Sequence, residues 1–248
     1  MSHERSLAIE ERADRVVVTL DRPERRNAID QRMVDGLHQV CEALEREPRI
    51  LILTGAGGVF ASGADIAELR ERTAEDAERG INDTIFSRIA GLPMPVIAAL
   101  DGYALGGGAE LAYAADLRIG TPRLRIGNPE TGLGIIAAAG ALWRLPQLVG
   151  LPLATELVLT GRILTGDEAL AAGLVSSLHE PAELMAAADA LADRIAANDP
   201  LATRLTKRVL RAPLAEHPTA EREAQAQTFE SPEKRRRMTE FLERRAAR

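Results

Sequence analysis

Cysteine is almost missing from these 248 residues: Cys41 stands alone. A single thiol closes no internal disulfide, and the four histidines, His3, His38, His179 and His217, are scattered without metal-ligand spacing. A secreted disulfide framework and a zinc site are both excluded on that count, and no metal is expected. Aromatic residues make up only 3% of the chain, and the one basic run, Lys234-Arg235-Arg236-Arg237, has no aromatic side chain interleaved for base stacking. With a formal net charge of −6 and both signs mixed along the sequence, no broad basic field exists to attract a phosphate backbone, so nucleic acid is not expected as a partner. A long uninterrupted apolar run is also lacking. The most apolar stretch, Pro95 to Ala115, is broken by Asp101 and Glu110 and crowded with glycine, which disqualifies it as a membrane span. The charged start, Met1 to Arg15, has no apolar core of a signal peptide and is expected to belong to the mature protein, with the cytoplasm as its compartment.

Several common active-site patterns are missing too. Neither Gly55-Ala56-Gly57-Gly58 nor Gly106-Gly107-Gly108 completes a dinucleotide fingerprint, so a nicotinamide cofactor is not expected. Gly161 and Gly166 have P-loop spacing, but Asp167 stands where a lysine must meet phosphate. No G-x-S-x-G elbow is present, which leaves serine catalysis without support.

What is present is apolar residue at 46%, enough for one sizeable core with a helical appendage. Leu7–Glu10 and Arg15–Leu20 read as a hairpin, and Asp30 caps a helix whose apolar positions Met33, Val34, Leu37, Val40, Cys41 and Leu44 recur until Pro48. Ile50–Thr54 and Val96–Leu100 are short continuous apolar runs, as buried strands are. Each leads through small residues into a helix, from Ala64 in one case and from Gly107 in the other. Leu117–Gly120, Leu124–Ile126 and Leu174–Leu178 add further strands, so the expected class is α/β, with residues 1–180 as the core. Residues 181–248 are expected to form a helical C-terminal region, with helices over Pro181–Asn198, Pro200–Leu210 and Pro218–Arg245.

The chemistry gathers at the two strand-to-helix turns. Phe60-Ala61-Ser62-Gly63-Ala64-Asp65-Ile66 and Gly102 to Glu110 each place small residues where backbone amides lack partners, an arrangement suited to a developing oxyanion. Glu110 is the only charged residue in Gly106–Ala115, so it is either a buried glutamate satisfied by hydrogen bonds or an acid-base group of raised pKa. Glu130, in Asn128-Pro129-Glu130, reads equally well as the first turn of a helix capped by Asn128.

The segments Asp21–Ile29, Phe60–Ile66, Pro95–Glu110 and Ile126–Leu145 occur in the order found in the crotonase (enoyl-CoA hydratase/isomerase) superfamily, which this chain resembles along nearly its whole length. Leu159–Arg162, Ala169–Val175 and Phe229–Arg245 extend the likeness. The resemblance implies a crotonase-like spiral of repeated ββα units, a homotrimer or dimer of trimers in which the C-terminal helices serve oligomerisation and cover the CoA site, and a coenzyme A thioester as substrate, with no separate cofactor. It places the oxyanion amides on Ala64 and Gly107 and the catalytic carboxylates on Glu110 and Glu130. Coenzyme A would lie along Arg25, Asn27, Ala28, Ala61, Ala64, Asp65, Ile66 and Gly107. The phosphates would meet Arg25, Arg26 and the Lys234–Arg237 run. Leu69, Ala138, Leu142 and Trp143 would line the acyl pocket, although a lone tryptophan in an apolar stretch is also an ordinary core residue.

The implied reaction is hydration of a 2-enoyl-CoA in fatty acid β-oxidation. Where many hydratases carry Pro-Gly-Ala-Gly-Gly, this chain has Ala137-Ala138-Ala139-Gly140-Ala141, and the Ala138 methyl adds bulk near the site. That leaves 3,2-enoyl-CoA isomerisation by Glu130 as a second activity, and a non-catalytic acyl-CoA- or RNA-binding role as a third reading.

Overall fold

The computed structural model describes residues 6–247, so the part of the charged start that precedes Ser6 lies outside the described residues. Strands β1 (Leu7–Glu11) and β2 (Arg15–Leu20) form the expected antiparallel hairpin, with Leu7 opposite Leu20. Asp30 accepts a hydrogen bond from the Met33 amide and so starts α1 (Gln31–Arg46), which buries the six apolar side chains that its spacing had set on one face. The chain continues through β3 (Ile50–Gly55), α2 (Ile66–Glu71), α3 (Ala74–Arg79), α4 (Ile81–Ala90), β4 (Val96–Leu100), β5 (Tyr103–Leu105), α5 (Gly107–Ala114), β6 (Leu117–Gly120) and β7 (Arg125–Gly127). Then follow α6 (Ala141–Val149), α7 (Leu151–Thr160), β8 (Leu164–Thr165), α8 (Gly166–Ala171), α9 (Leu184–Ala196), α10 (Pro200–Leu210), α11 (Thr219–Phe229) and α12 (Pro232–Ala246). The chain divides into two compact units between Ala192 and Asp193.

In the first unit a five-stranded sheet runs β1-β2-β3-β4-β6, all pairs parallel after the hairpin. A second sheet, β5-β7-β8, is joined by single bridges from Ile29 to Ala64 and from Ala61 to Ala104. Each turn of the chain thus lays one segment in the large sheet, the next in the small one, and then a helix. That is the mixed α/β repeat that the resemblance implies. Strands β3 and β4 are buried along almost their whole length, which is why they read as unbroken apolar runs and not as alternating ones.

Three expected elements differ. Leu174–Leu178 is not a full strand: the amides of Leu174 and Val175 bond back to the Ala169 carbonyl at the end of α8, and only from Ser176 onward does the backbone bond to β6, around the single Gly120–Leu178 bridge. The helix expected from Ala64 starts at Ile66 and stops at Glu71, and Thr73 then forms a reciprocal cap with Asp76 that restarts the chain as α3. Pro218–Arg245 is likewise two helices: Pro232 begins α12, and Ser231 before it is extended, as a residue preceding proline prefers.

Candidate active site

Two loops of the first unit converge on the start of α5. After β3, the amides of Phe60 and Ala61 bond to the carbonyls of Asp101 and Tyr103, and the Ala61 carbonyl accepts from Leu105. Further on, the Gly63 carbonyl accepts from the Ile29 amide at 2.8 Å while the Asp65 amide donates to the Ile29 carbonyl at 3.0 Å. Alternate residues of an extended chain direct their amides to opposite edges, so the Ala64 N–H points away from Ile29. Ala64 is therefore an extended residue two positions ahead of α2, not the helix start its sequence had suggested. Asp65 caps that helix by accepting from the Ala67 amide.

Gly106 reverses the chain with φ of +52°, a conformation open to glycine, and Gly107 is the first residue of α5, where amides have no intrahelical partner. The two loops touch: a Cβ built on Gly107 would lie 3.5 Å from the Ala64 nitrogen, and one built on Gly63 would lie 3.8 Å from the Gly107 nitrogen. Gly108 must be glycine because a Cβ there would stand 2.3 Å from the Ala61 oxygen. These distances bring the two expected amide donors side by side.

All eight residues of α5 are buried, Glu110 among them. One carboxylate oxygen of Glu110 accepts from the amides of Ala139 (2.7 Å), in the loop before α6, and of Ala141 (3.1 Å), the first residue of α6. Burial pushes its pKa up to about 7, with nearby Glu130 pushing the same way and the two amides and Arg144 opposing. Glu130 starts a single 3-10 turn after Pro129, and Asn128 does not cap it. The Asn128 side chain instead bridges inward, its Nδ2 donating to Glu130 Oε1 at 3.3 Å and its Oδ1 accepting from the Tyr113 hydroxyl at 3.0 Å. Burial raises the pKa of Glu130 as well, and the Asn128 hydrogen bond draws it down. Its Oε2 is buried with no hydrogen-bond partner among the described residues. The carboxylate lies against the same turn, since a Cβ on Gly106 would sit 3.1 Å from Glu130 Oε1.

The other expected residues divide by role. Asn27 is wholly buried and clamps two loops, accepting from the Arg22 amide and donating to the carbonyls of Ala56 (2.9 Å) and Val59 (2.6 Å). Arg22 donates to the Ala28 carbonyl and pairs with Asp30 and Asp65, which locks the Arg25–Ala28 turn beside the Asp65 cap. Arg25 and Ile66 remain exposed, and Leu69 is half-buried. Ala138 is exposed, while the amides one and three positions after it, at Ala139 and Ala141, carry the contacts to Glu110. Leu142 and Trp143 are 48% and 50% exposed, so Trp143 is not core in the single chain. In the second unit, Arg236 and Arg237 of the basic run bond to Glu233, and Lys234 lies 4.7 Å over the Phe229 ring. Much of that run's charge is thus matched within its own helix.

Sequence reasoning passed over Arg144 of α6. It is buried, donates to the Ala139 carbonyl at 3.1 Å and to Ser87 Oγ at 3.0 Å, and so ties α4 to the loop that holds Glu110. A lone charge within Leu142–Leu148 was the available signal, the same one that marks Glu110.

The Gly107 amide at a helix start beside the Ala64 amide, together with a pair of buried carboxylates, is an arrangement that can polarise a carbonyl and move protons next to it. The model of the enoyl-CoA hydratase/isomerase family matches residues 10–248, and the chain belongs to that family. It is 39% identical to a short-chain-enoyl-CoA hydratase of Clostridium acetobutylicum, over 97% of this chain and 95% of that one. It is 34% identical to a crotonyl-CoA hydratase of Syntrophomonas wolfei, over 98% and 96%. The crystal structure of an enoyl-CoA hydratase from Bacillus anthracis superposes with a TM-score of 0.91 at 32% identity, covering 96% of each chain. No helix among the described residues is long and apolar enough to cross a membrane.

Proposed function

We propose that this protein is an enoyl-CoA hydratase, adding water across the 2,3 double bond of a 2-enoyl-CoA thioester. The observation that carries the proposal is the pair Glu110 and Glu130, both buried and both of raised pKa, beside the adjacent amides of Ala64 and Gly107. In this scheme the two amides receive the thioester oxygen as it gains negative charge, each contributing roughly 2.7–4 kcal/mol by analogy with other oxyanion holes. The carboxylates hold one water between them; one assists its attack on C3 and the other delivers a proton to C2. A carboxyl with a pKa of about 7 is close to half-protonated at neutral pH, which suits transfer in either direction. The scheme uses no metal or redox group, and coenzyme A enters as part of the substrate.

The adenine and pantetheine of the thioester are assigned to the lip formed by Arg25, Asn27, Ala28, Ala61, Ala64, Asp65 and Ile66, and the acyl group to the side of Leu69, Ala138, Leu142 and Trp143. The assembly is proposed to be a homotrimer or dimer of trimers, which would cover large apolar side chains that one chain leaves exposed, among them Ile136, Leu142 and Trp143. A cytoplasmic place in fatty acid β-oxidation follows from the same reading.

One observation favours a second activity. Glu110 has an oxygen fixed by two amides, whereas Glu130 Oε2 has no hydrogen-bond partner among the described residues and is the freer base, as proton shuttling between C2 and C4 in a 3,2-enoyl-CoA isomerase requires. Incubation with crotonyl-CoA and with a 3-enoyl-CoA in deuterated water separates the two. Loss of the conjugated absorbance with gain of one water identifies the hydratase; growth of that absorbance from the 3-enoyl substrate identifies the isomerase. Silence with both substrates refutes the proposal.

A further inference from the structure

One polar side chain beside the site has no part in the scheme above. Asn82 lies in the first turn of α4, ahead of the fully buried Ile85 and Phe86. Its Nδ2 is 3.5 Å from the point that a Cβ on Gly107 would occupy, and that same point is 3.5 Å from the Ala64 nitrogen. The Asn82 carboxamide therefore flanks the two amides assigned to the thioester oxygen. Its Oδ1 is buried and has no hydrogen-bond partner among the described residues. Its polar neighbours on α4 do not supply one: Ser87 Oγ donates to Asp83 at 3.4 Å and accepts from Arg144. A buried amide oxygen left unpaired disfavours the closed state roughly ten- to a hundred-fold, and an apolar side chain at this position would avoid that penalty.

We infer that Asn82 is a specificity-determining residue whose carboxamide receives a hydroxyl carried by the acyl chain of the thioester. The inference rests on the acyl-CoA reading of the site. A hydroxyl is donor and acceptor at once: its hydrogen meets Oδ1 and its oxygen accepts from Nδ2. A plain alkyl chain offers neither and would close over the amide oxygen while it is still unpaired. Sites built to bond a hydroxyl reject the analogue that lacks it far more strongly than apolar pockets reject an extra methylene. The hydroxyl meant here is one the substrate brings, beyond C3, because the oxygen at C3 is the one that hydration adds between Glu110 and Glu130.

The test is calorimetric binding of two saturated thioesters that have no double bond to hydrate, butyryl-CoA and 4-hydroxybutyryl-CoA, the second freshly prepared because its hydroxyl displaces coenzyme A to close a lactone, to the whole chain and to Asn82→Leu, with crotonyl-CoA turnover followed in parallel. The wild type is expected to bind the hydroxylated thioester roughly ten-fold more tightly, and Asn82→Leu to erase that preference while still binding butyryl-CoA. Asn82→Ala, which adds no bulk, takes its place if the leucine variant does not fold. Equal binding by the wild type, or a preference that survives the substitution, overturns the inference and leaves the hydratase proposal standing if crotonyl-CoA is turned over. Absence of both thioester binding and turnover overturns the acyl-CoA reading, and the inference falls with it.

Discussion

Replacing Glu110 by glutamine is expected to make the protein more stable and less active, and the stability gain is expected to depend on pH. The folded state raises this carboxyl from 4.5 to about 7, chiefly by burial. At about 1.4 kcal/mol per pH unit, that displacement costs the ionised folded protein roughly 3 kcal/mol. Because the folded-state pKa lies above the unfolded value, the folded chain holds the proton more tightly. Stability is therefore fully present below 4.5 and is lost as pH rises through about 7. Glutamine keeps an oxygen for the amides of Ala139 and Ala141 but never ionises, so the variant escapes this loss. The difference between variant and wild type should grow by about 2 kcal/mol between pH 5.5 and pH 8, and level off above that. Urea denaturation at a series of pH values measures it, and crotonyl-CoA turnover should fall by roughly 10²- to 10⁴-fold in the same variant. A difference that stays flat with pH, or a variant less stable than the wild type at pH 8, would refute the reasoning that burial governs this carboxyl.

Glu130→Gln is expected to abolish both hydration and isomerisation, and Glu110→Gln to remove hydration while sparing isomerisation; full rates in both variants, assayed with crotonyl-CoA and a 3-enoyl-CoA, would unseat the site assignment. Gly108→Ala places a methyl 2.3 Å from the Ala61 oxygen, so a stability loss of at least about 1–3 kcal/mol is expected in denaturant, with activity lost as the first turn of α5 shifts. Asp30→Ala removes the α1 cap and the partner of Arg22, and the urea midpoint should fall by an amount equivalent to about 1–2 kcal/mol.

The parts of the fold legible in the sequence are those fixed by local rules. Helix α1 was readable because a cap and six apolar positions agree, and β3 and β4 because a parallel strand buried on both faces shows itself as an unbroken apolar run. Leu174–Leu178 also opens on apolar residues, yet its first two amides are drawn back to the end of α8 and only the later ones reach β6. Apolar residues alone do not say where along a segment the pairing begins. Chain breaks were underread for a related reason: in Glu68–Arg79 the helical charge pattern continues across Thr73, and only the reciprocal bond with Asp76 shows that a new helix begins.

At the site, sequence reasoning picked out residues that break a local pattern, although it passed over Arg144, which breaks one in the same way as Glu110. Glu110 is conspicuous as the only charge on a buried helix, and the glycines at 106 and 108 mark a reversed turn and a close approach, so the start of α5 could be identified before any distance was known. Ala64 was read as a helix start, but its amide is directed by extended pairing with Ile29. Asn82 was invisible, because an asparagine in the first turn of a helix is an ordinary choice there. Its meaning arises only when α4 is laid against the Gly107 turn, a contact across 25 positions of sequence that no periodicity encodes. On the proposed scheme the site separates its requirements: backbone turns would supply the oxyanion donors, and the Asn82 side chain on a neighbouring helix would answer to the acyl group. It follows that the chemistry of such a site is the more readable part of its sequence, and the identity of its acyl group the less readable part.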